Sequence, residues 1–341
     1  MDRATLALSH TGIDAVREVQ VPEAEGTIKP DTYAALVELA SPVSRHAEEA
    51  TAHVARMRAH VRAPGTTLLG AGIHPDGAFG DVVHVDEARY HEIHRQLRGL
   101  LRRTPTCALH VHVGMPDAET AVRAFNALRE HLPLLQALAA NSPFWHGRDS
   151  GLATARAQLF RGYPRADIAR AYDSFEDWAE EVRWVVAAGD APDYTFLWAD
   201  LRLHPRLGTV EVRAMDAQSS PRTVAGLAAL VQGLARAGAE HGGAGTPRVA
   251  LVESSFRAAR DGMAATILHD GALRPVAEVG AAALALARPY ARELGSDGPL
   301  EEVDRLLREG GGADRQRAAH ARGGMRALLE LLVAETAERY G

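Results

Sequence analysis

Residues 107–114 read CALHVHVG, and hydrophobic residues alternate with histidines from Leu109 to Val113. His110 and His112 fall on one side of this alternation, and a leucine and two valines fall on the other. A period of two residues is typical of a β-strand that buries one face against a core. The segment therefore predicts a strand that presents two imidazole rings on the same polar face.

A second alternating region covers residues 196–204 and 209–216, with the short segment 205–208 between them. The connecting residues include a proline and a glycine, which are typical of turns. Two alternating runs joined in this way predict a β-hairpin, and one of its faces carries an unusual number of charged side chains.

The polar face of this predicted hairpin combines both signs of charge. Trp198, Asp200 and Arg202 share one face of the first strand. Glu211 and Arg213 share one face of the second strand, opposite two valines and an alanine. Because an arginine held on a strand loses side-chain entropy, it generally has an anionic partner. That partner is either a bound anion or a neighbouring carboxylate.

Helical spacing replaces the alternation in other parts of the chain. Residues 31–61 predict a helix that begins at Asp31, and residues 90–101 predict another helix. Residues 66–74 are interpreted as a strand, and Asp117 is the predicted N-cap of a long helix after the histidine strand.

The last third of the chain, residues 221–341, consists almost entirely of alanine-, leucine-, arginine- and glutamate-rich stretches with helical spacing. Breaks are expected near Gly242, Asp270, Ser296 and Gly310. Strands in the first two-thirds and helices in the last third predict an α+β fold rather than regularly alternating βαβ units.

The length allows one large domain or two modest ones, and we interpret residues 1–341 as a single domain in which residues 1–30 are irregular and residues 221–341 are mostly helical. Hydrophobic residues make up 46% of the chain, enough for a substantial core. The formal net charge is −6 without any block of lysine and arginine, so we expect no nucleic-acid partner. Cys107 is the only cysteine, which excludes an internal disulfide. No stretch approaches the roughly 18 apolar residues of a membrane span, so we expect a cytoplasmic protein.

Two histidines on one strand, with a Glu–Arg pair and an aspartate on two others, suit a divalent metal and a phosphate group. Imidazole and carboxylate groups bind the cation, and guanidinium groups contact phosphate oxygens in pairs. Each element alone also has a structural interpretation. The histidines can be surface residues, the Glu–Arg pair an exposed hairpin contact, and His74 part of a turn before Pro75.

The His-Val-His segment also resembles the first metal-binding pair of an amidohydrolase barrel, which would make the protein a hydrolase with zinc at His110 and His112. Such a barrel needs alternating strands and helices, with further metal ligands at later strand ends. The helical last third lacks that alternation, so this interpretation is disfavoured.

Several segments together resemble the type 2 glutamate–cysteine ligase-like family, the carboxylate–amine ligases. The matching segments occur in the order of the family between residues 27 and 335. They are VELASPV at 37–43, GAGIHP at 70–75, CALHVHVGMPD at 107–117, ANSPFWHGRDSGLATARAQLF at 140–160, WADLRLHPRLGTVEVRAMD at 198–216 and ESSFRAARDGM at 253–263.

This resemblance implies a glutamine-synthetase-like fold, in which a curved, mainly antiparallel sheet holds the site and helices pack behind it. It also implies a reaction that depends on ATP and Mg²⁺. ATP phosphorylates a carboxylate, typically the γ-carboxylate of glutamate, and an amine, that of cysteine in the named reaction, attacks the acyl phosphate. The expected partners are small-molecule carboxylate and amine substrates, and a homo-oligomer is left open.

Site residues are implied by the same resemblance. Arg213 would contact the transferring phosphate, and Glu211 would bridge the metal and the nucleotide. His110, Glu211 and Glu38 are the implied metal ligands. The residues implied to bind substrate or nucleotide are His112, Arg156, Trp198, Asp200, Arg202, His74 and Arg260.

One family feature, an opening strand with a G-x-E-x-E motif whose carboxylates hold the catalytic metals, is not found in this chain. We therefore expect the chain to begin after that strand, with fewer metal ligands and with a sheet edge open to pairing. A catalytically impaired paralogue that binds a ligand or a partner is the alternative that this difference leaves open.

Overall fold

Short strands and longer helices follow one another in the computed structural model, which describes residues 1–19, 21–61 and 65–340. The helices are α1 (Gly12–Glu18), α2 (Ala47–His60), α3 (Ala88–Leu97), α4 (Ala118–Leu138), α5 (Ala155–Phe160), α6 (Phe175–Gly189), α7 (Pro221–His241), α8 (Arg248–Asp261), α9 (Val276–Glu293), α10 (Leu300–Glu309) and α11 (Gly312–Thr336). The strands are β1 (Thr27–Pro30), β2 (Val37–Ala40), β3 (Ala108–Gly114), β4 (Phe144–Trp145), β5 (Arg148–Asp149), β6 (Leu201–His204), β7 (Thr209–Asp216), β8 (Thr266–His269) and β9 (Ala272–Pro275). The described strands all pair in antiparallel fashion, and the predicted α+β class is confirmed.

The central sheet contains three strands in the order β3–β7–β6. β6 and β7 form the predicted hairpin, with Leu201 opposite Val212 and His204 opposite Thr209. β3 pairs with the other edge of β7, so the histidine strand lies beside the charged hairpin. The alternation alone could not predict this pairing, because the two regions are far apart in the chain.

Helices α4 and α7 cover the apolar face of this sheet. Val210, Val212 and Met215 are fully buried in one core cluster with leucines of both helices. α4 begins at the predicted N-cap, where the Asp117 carboxylate accepts a hydrogen bond from the backbone N–H of Thr120 at 2.7 Å. The polar side chains of the strands therefore point to the opposite side of the sheet.

The first strand of the predicted hairpin starts later than expected. Tyr194–Phe196 form a 3₁₀ turn, and β6 begins only at Leu201. Phe196, Leu197 and Trp198 are all buried, whereas a strand with one solvated face would bury only alternate residues. The strand prediction is wrong at this point, and Trp198 belongs to an aromatic core.

The helix predicted from Asp31 is wrong in its first half. β1 and β2 form a hairpin there, and an ion pair joins Lys29 to Glu38 across the strands at 2.9 Å. α2 begins only after His46, whose Nδ1 accepts a backbone hydrogen bond from the first turn. Prolines on both sides of β2 disfavour a continuous helix. Residues 1–30, expected to be irregular, contain α1 and β1.

Residues 66–74 do not form the predicted strand beyond one isolated β-bridge. Their glycines instead let the backbone run directly beside the end of β7. A Cβ atom on Gly72 would lie 2.6 Å from the carboxylate carbon of Asp216, and one on Gly70 would lie 2.3 Å from a backbone oxygen. This close approach to β7 explains the glycines better than strand pairing does.

The last third of the chain is helical as predicted, except for the hairpin of β8 and β9. α7 ends immediately before Gly242 and α10 immediately before Gly310, both of which have positive φ. Asp270 lies in the turn of the hairpin, which the helical interpretation missed because each strand has only four residues. None of the helices in the described residues has the length and apolar character needed to cross a membrane.

Gly238 allows α7 to approach α4 closely. A Cβ atom at this position would lie 2.4 Å from the Cβ atom of Ala127. Gly238→Ala should therefore lower the free energy of unfolding by about 1–3 kcal/mol through overpacking, although alanine is favoured over glycine in a helix by about 1 kcal/mol. Chemical denaturation followed by far-UV circular dichroism measures the change.

The double substitution Ala127→Gly with Gly238→Ala moves the methyl group to the other helix and should restore most of the lost stability. If Gly238→Ala alone proves as stable as the wild type or more stable, the close packing of α4 and α7 is contradicted.

Candidate active site

A buried carboxylate occupies the middle of the polar face of the central sheet. The Glu211 side chain is only 2% exposed. Its Oε2 atom accepts a hydrogen bond from Nε of Arg202 at 2.8 Å and lies equally close to Nη2. Its Oε1 atom accepts a hydrogen bond from Nη1 of Arg213 at 2.6 Å. Because a buried charge is stable only when it is paired and hydrogen-bonded, this carboxylate fixes two guanidinium groups.

Two imidazole rings from β3 lie against the same carboxylate. Nδ1 of His110 is 3.6 Å from Oε1 of Glu211, and Nε2 of His112 is 3.5 Å from that atom. His112 is the register partner of Glu211, and its Nδ1 forms a hydrogen bond with Oγ1 of Thr209. We refer to this group as the Glu211 cluster, which consists of His110, His112, Arg202, Glu211 and Arg213.

The charges of the Glu211 cluster favour a bound anion. Burial raises the pKa of Glu211, but a hydrogen bond from His112 and the two guanidinium charges outweigh it and hold the pKa well below its ordinary value. Loss of hydration and the charge of Arg213 lower the pKa of His110 well below its ordinary value, so this ring is neutral at pH 7. Glu211 carries one negative charge, and Arg202 and Arg213 carry two permanent positive charges. These three side chains together are therefore net positive.

Asp200 belongs to a separate chain of ion pairs beside the cluster. Its Oδ2 atom accepts a hydrogen bond from Nη2 of Arg161 at 3.1 Å, and Arg161 also pairs with Asp167. The backbone carbonyl of Asp200 accepts a hydrogen bond from the backbone N–H of Arg213 at 2.8 Å. Burial raises the pKa of Asp200, and the charge of Arg161 opposes that rise. Asp200 therefore supports the position of Arg213 through its backbone.

Sequence reasoning missed Asp216, a buried carboxylate at the end of β7. It accepts hydrogen bonds from Oγ of Ser142 at 2.6 Å and from Oγ1 of Thr154 at 2.9 Å. The backbone N–H of Asn141 donates a third at 2.9 Å. Nη1 of Arg156 lies 3.7 Å from the same carboxylate, so the charge is paired as well as hydrogen-bonded.

A β-bulge brings Asp216 to the polar side of the sheet. Val111 lies opposite Val212, but Leu109 lies opposite Met215, so β7 has one residue more than β3 in this stretch. One extra residue reverses the alternation of faces. The sequence carries a signal for this bulge, because two consecutive apolar residues precede Asp216 in an otherwise alternating strand.

Four predicted site residues have other surroundings. Trp198 lies in the aromatic core, with a guanidinium group 4.9 Å from its ring centroid. Both ring nitrogens of His74 form hydrogen bonds with backbone groups. Glu38 pairs with a lysine of β1, and Arg260 pairs with the aspartate next to it. The structure does not bring these four residues into the Glu211 cluster, and their binding roles stay predictions.

The donor atoms at the cluster do not fit Mg²⁺ held by the protein alone, because Mg²⁺ prefers an octahedron of oxygen ligands. Both carboxylate oxygens of Glu211 already accept hydrogen bonds from arginine, and the nearest further donors are ring nitrogens. Glu38, the third predicted metal ligand, is paired elsewhere. Among the residues that the structure describes, no three metal-binding side chains are arranged to hold an ion.

An anionic ligand fits the cluster better than a cation. The Arg213 side chain is 12% exposed, and its buried Nε has no hydrogen-bond partner within the described part of the chain. A buried donor without a partner is uncommon in folded proteins and calls for an explanation. This Nε is closed to solvent, but guanidinium donors match the oxygens of phosphate and carboxylate groups, so the exposed part of the Arg213 side chain would suit a bound anion.

Comparisons with known proteins agree with this architecture. The sequence model of glutamate–cysteine ligase family 2 matches residues 7–335. The chain is 39% identical to the "Putative glutamate–cysteine ligase 2-3" of Rubrobacter xylanophilus, over 92% of this chain and 88% of that protein. It is 34% identical to the glutamate–cysteine ligase of Haloferax volcanii, over 90% of this chain and 86% of that protein.

Solved structures share the fold of the chain. The glutamate–cysteine ligase of Francisella tularensis, solved in complex with AMP, matches with a TM-score of 0.73 at 10% identity, over 98% of this chain and 85% of that one. A bifunctional glutathione synthetase from Pasteurella multocida matches with a TM-score of 0.65 at 16% identity, over 97% and 51% of the two chains. At these identities the likeness concerns the fold alone.

Glu211→Gln should destabilise the protein, because it leaves the charges of Arg202 and Arg213 without a counter-charge. Removal of one partner of a buried ion pair costs about 3–5 kcal/mol, measured by urea unfolding at pH 7. Folding lowers the pKa of Glu211 below its ordinary value of 4.5, so the stabilisation is complete above that pH and is lost as the pH falls below it. As the pH falls below 4.5, the free energies of unfolding of the wild type and of Glu211→Gln should therefore become more similar.

Glu240→Gln is the matched control, because it removes a carboxylate that pairs with Arg236 on the exposed side of α7. A surface pair of this kind contributes about 0.3–0.5 kcal/mol. If both substitutions lower the free energy of unfolding by the same amount, Glu211 does not hold buried charges together.

Proposed function

Because the chain belongs to glutamate–cysteine ligase family 2, we propose that it is an ATP-dependent carboxylate–amine ligase. The carboxylate substrate is the γ-carboxylate of glutamate, and the amine substrate is that of cysteine. The observation that carries the proposal is the Glu211 cluster, in which one buried carboxylate holds two guanidinium groups on the polar face of the central sheet.

The nucleotide phosphates bind at this face in the proposed arrangement. The net positive charge around Glu211 and the partly exposed guanidinium group of Arg213 support this placement. The structure of the Francisella tularensis relative contains AMP, which supports a nucleotide site in a protein of this fold.

The proposed reaction has two steps. An oxygen of the substrate carboxylate attacks the γ-phosphorus of ATP, the bond to the β–γ bridging oxygen breaks, and ADP leaves. The amine nitrogen then attacks the acyl carbon, inorganic phosphate leaves with the electrons of the broken bond, and the nitrogen releases one proton. The products are an amide, ADP and phosphate.

Arg213 stabilises the transferring phosphoryl group in this proposal. Its guanidinium donates hydrogen bonds to phosphoryl oxygens as their charge develops. Glu211 holds Arg213 in place beforehand, so the donors need little reorganisation during the reaction. Arg202 keeps Glu211 ionised and oriented, and the neutral ring of His110 adds no charge to the site.

Metal ions have a limited place in the proposal. Mg²⁺, which the family resemblance implies, would find no group of three metal-binding side chains among the described residues. The net positive charge of Arg202, Arg213 and Glu211 together would offset only part of the phosphate charge. The hydrolase interpretation gains no support, because no set of three metal-binding side chains is assembled within the described ranges to hold zinc.

Arg213→Ala should remove most of the ligase activity and leave the fold intact. Loss of one donor to developing charge costs about 100- to 1000-fold in kcat. The assay follows ADP release with ATP, Mg²⁺, glutamate and cysteine, and mass spectrometry identifies the dipeptide product.

Arg206→Ala is the matched control, because Arg206 lies in the turn of the same hairpin with its side chain 71% exposed. Its turnover should equal that of the wild type. The assignment of Arg213 would be contradicted by turnover that is unchanged in Arg213→Ala or equally reduced in both variants.

A further inference from the structure

The bulge in β7 places two residues, Arg213 and Ala214, opposite the single residue His110. A bulge leaves backbone groups without a partner in the ladder, so other groups must bind them. It also decides which side chains reach the site. Without the extra residue, strict alternation would bury Asp216 in the core and turn Met215, which is fully buried here, to the polar face.

Arg156 binds the backbone of the bulge. Its Nη2 atom donates a hydrogen bond to the carbonyl oxygen of Arg213 at 3.3 Å, and its Nη1 atom donates one to the carbonyl oxygen of Ala214 at 3.4 Å. A planar guanidinium group presents several N–H donors in a fixed geometry, so one side chain can bind both carbonyls of the bulge. The ammonium group of a lysine carries its donors on one nitrogen atom, so it lacks the two separated N–H groups that bind the two carbonyls.

The Arg156 side chain is itself enclosed. It is 4% exposed, and its guanidinium carbon lies 5.4 Å from the ring centroid of Phe160. Its counter-charge is Asp216, which the hydroxyl groups of Ser142 and Thr154 hold in place. Thr154 is also the N-cap of α5. The bulge, Asp216 and the first turn of α5 therefore form one connected unit around this guanidinium.

We infer that Arg156 is a positioning residue, which holds the bulge and thereby directs Arg213 to Glu211 and to the bound anion. The inference rests on the proposed function of the Glu211 cluster. It differs from the sequence-based expectation that Arg156 binds substrate or nucleotide. The guanidinium of Arg156 is directed inward, at strand carbonyls and at Asp216, and not toward a solvent-accessible phosphate.

Substitution of Arg156 should act on kcat more than on substrate binding. A catalytic group displaced by about 1 Å loses about 100-fold in rate, so Arg156→Gln should lower kcat by about that factor. The KM for ATP should change little, because Arg156 does not touch the nucleotide. Arg156→Lys keeps the charge but not the fork, so it should stay as slow as Arg156→Gln; rescue by lysine would indicate a phosphate ligand and overturn the inference.

A double-mutant cycle with Arg213→Ala tests whether Arg156 acts through Arg213. If it does, Arg156→Gln causes no further loss of kcat once Arg213 is alanine. Losses that add up in the double variant, or a rise of about tenfold in the KM for ATP in Arg156→Gln alone, would overturn the inference.

A second measurement does not depend on turnover. An arginine-specific dicarbonyl reagent should modify Arg213 slowly in the wild type, because this side chain is mostly buried, and several-fold faster in Arg156→Gln. Peptide mass spectrometry quantifies modification of Arg213 against that of the exposed Arg206 in the same sample. Arg129→Gln is the matched control, since Arg129 is also a buried arginine that donates to a backbone carbonyl, and it should leave the ratio unchanged.

Asp216→Asn is the second variant, for the case that Arg156→Gln does not fold. It removes the charge opposite Arg156 but keeps the shape of the side chain, so Arg213 should again be modified faster than in the wild type. Unchanged modification of Arg213 in the folded variants overturns the positioning inference. Absence of ADP release by the folded wild type overturns the proposed function, so the two failures are distinguishable.

Discussion

The pairing of the buried Glu211 carboxylate with the guanidinium groups of Arg202 and Arg213 is the interaction on which the polar face of the sheet depends. Arg202 comes from β6, the other two residues come from β7, and the neighbouring histidines come from β3. An unpaired charge at this depth would cost several kcal/mol, so the three strands must keep their register. The same requirement leaves the arginine donors in fixed positions before any ligand binds.

The apolar side of the strands supplies the opposing constraint. Val210 and Val212 alternate with the charged residues of β7 and pack against α4 and α7, so a slip of one residue would exchange core and site. The bulge is the one local exception to this alternation in the described pairing of β3 with β7. It turns Asp216 to the polar side, where Gly72 leaves room for its carboxylate.

Local periodicity predicted the histidine strand, the charged hairpin and the helical last third, and the structure confirms them except for the late start of β6 and the β8–β9 hairpin. Packing between distant segments decided the rest. Buried aromatic and apolar residues up to Trp198 pack into a core, so β6 begins later than predicted. Prolines favour the β1–β2 hairpin over a helix from Asp31. Alternation also placed Glu211 and Arg213 on one face, but it could not reveal that β3 joins them. The position of Arg156 depends on a bulge whose only trace in the sequence is a pair of apolar neighbours.

Calorimetric titration of ATP with Mg²⁺ into the chain tests most directly whether the Glu211 cluster is the nucleotide site. We expect saturable binding to the wild type and no detectable binding to Arg202→Ala, since this variant lacks one of the two guanidinium groups and loosens the other through Glu211. Circular dichroism of both proteins verifies that they are folded. Equal affinity of the two proteins for ATP would show that the phosphates bind away from the Glu211 cluster.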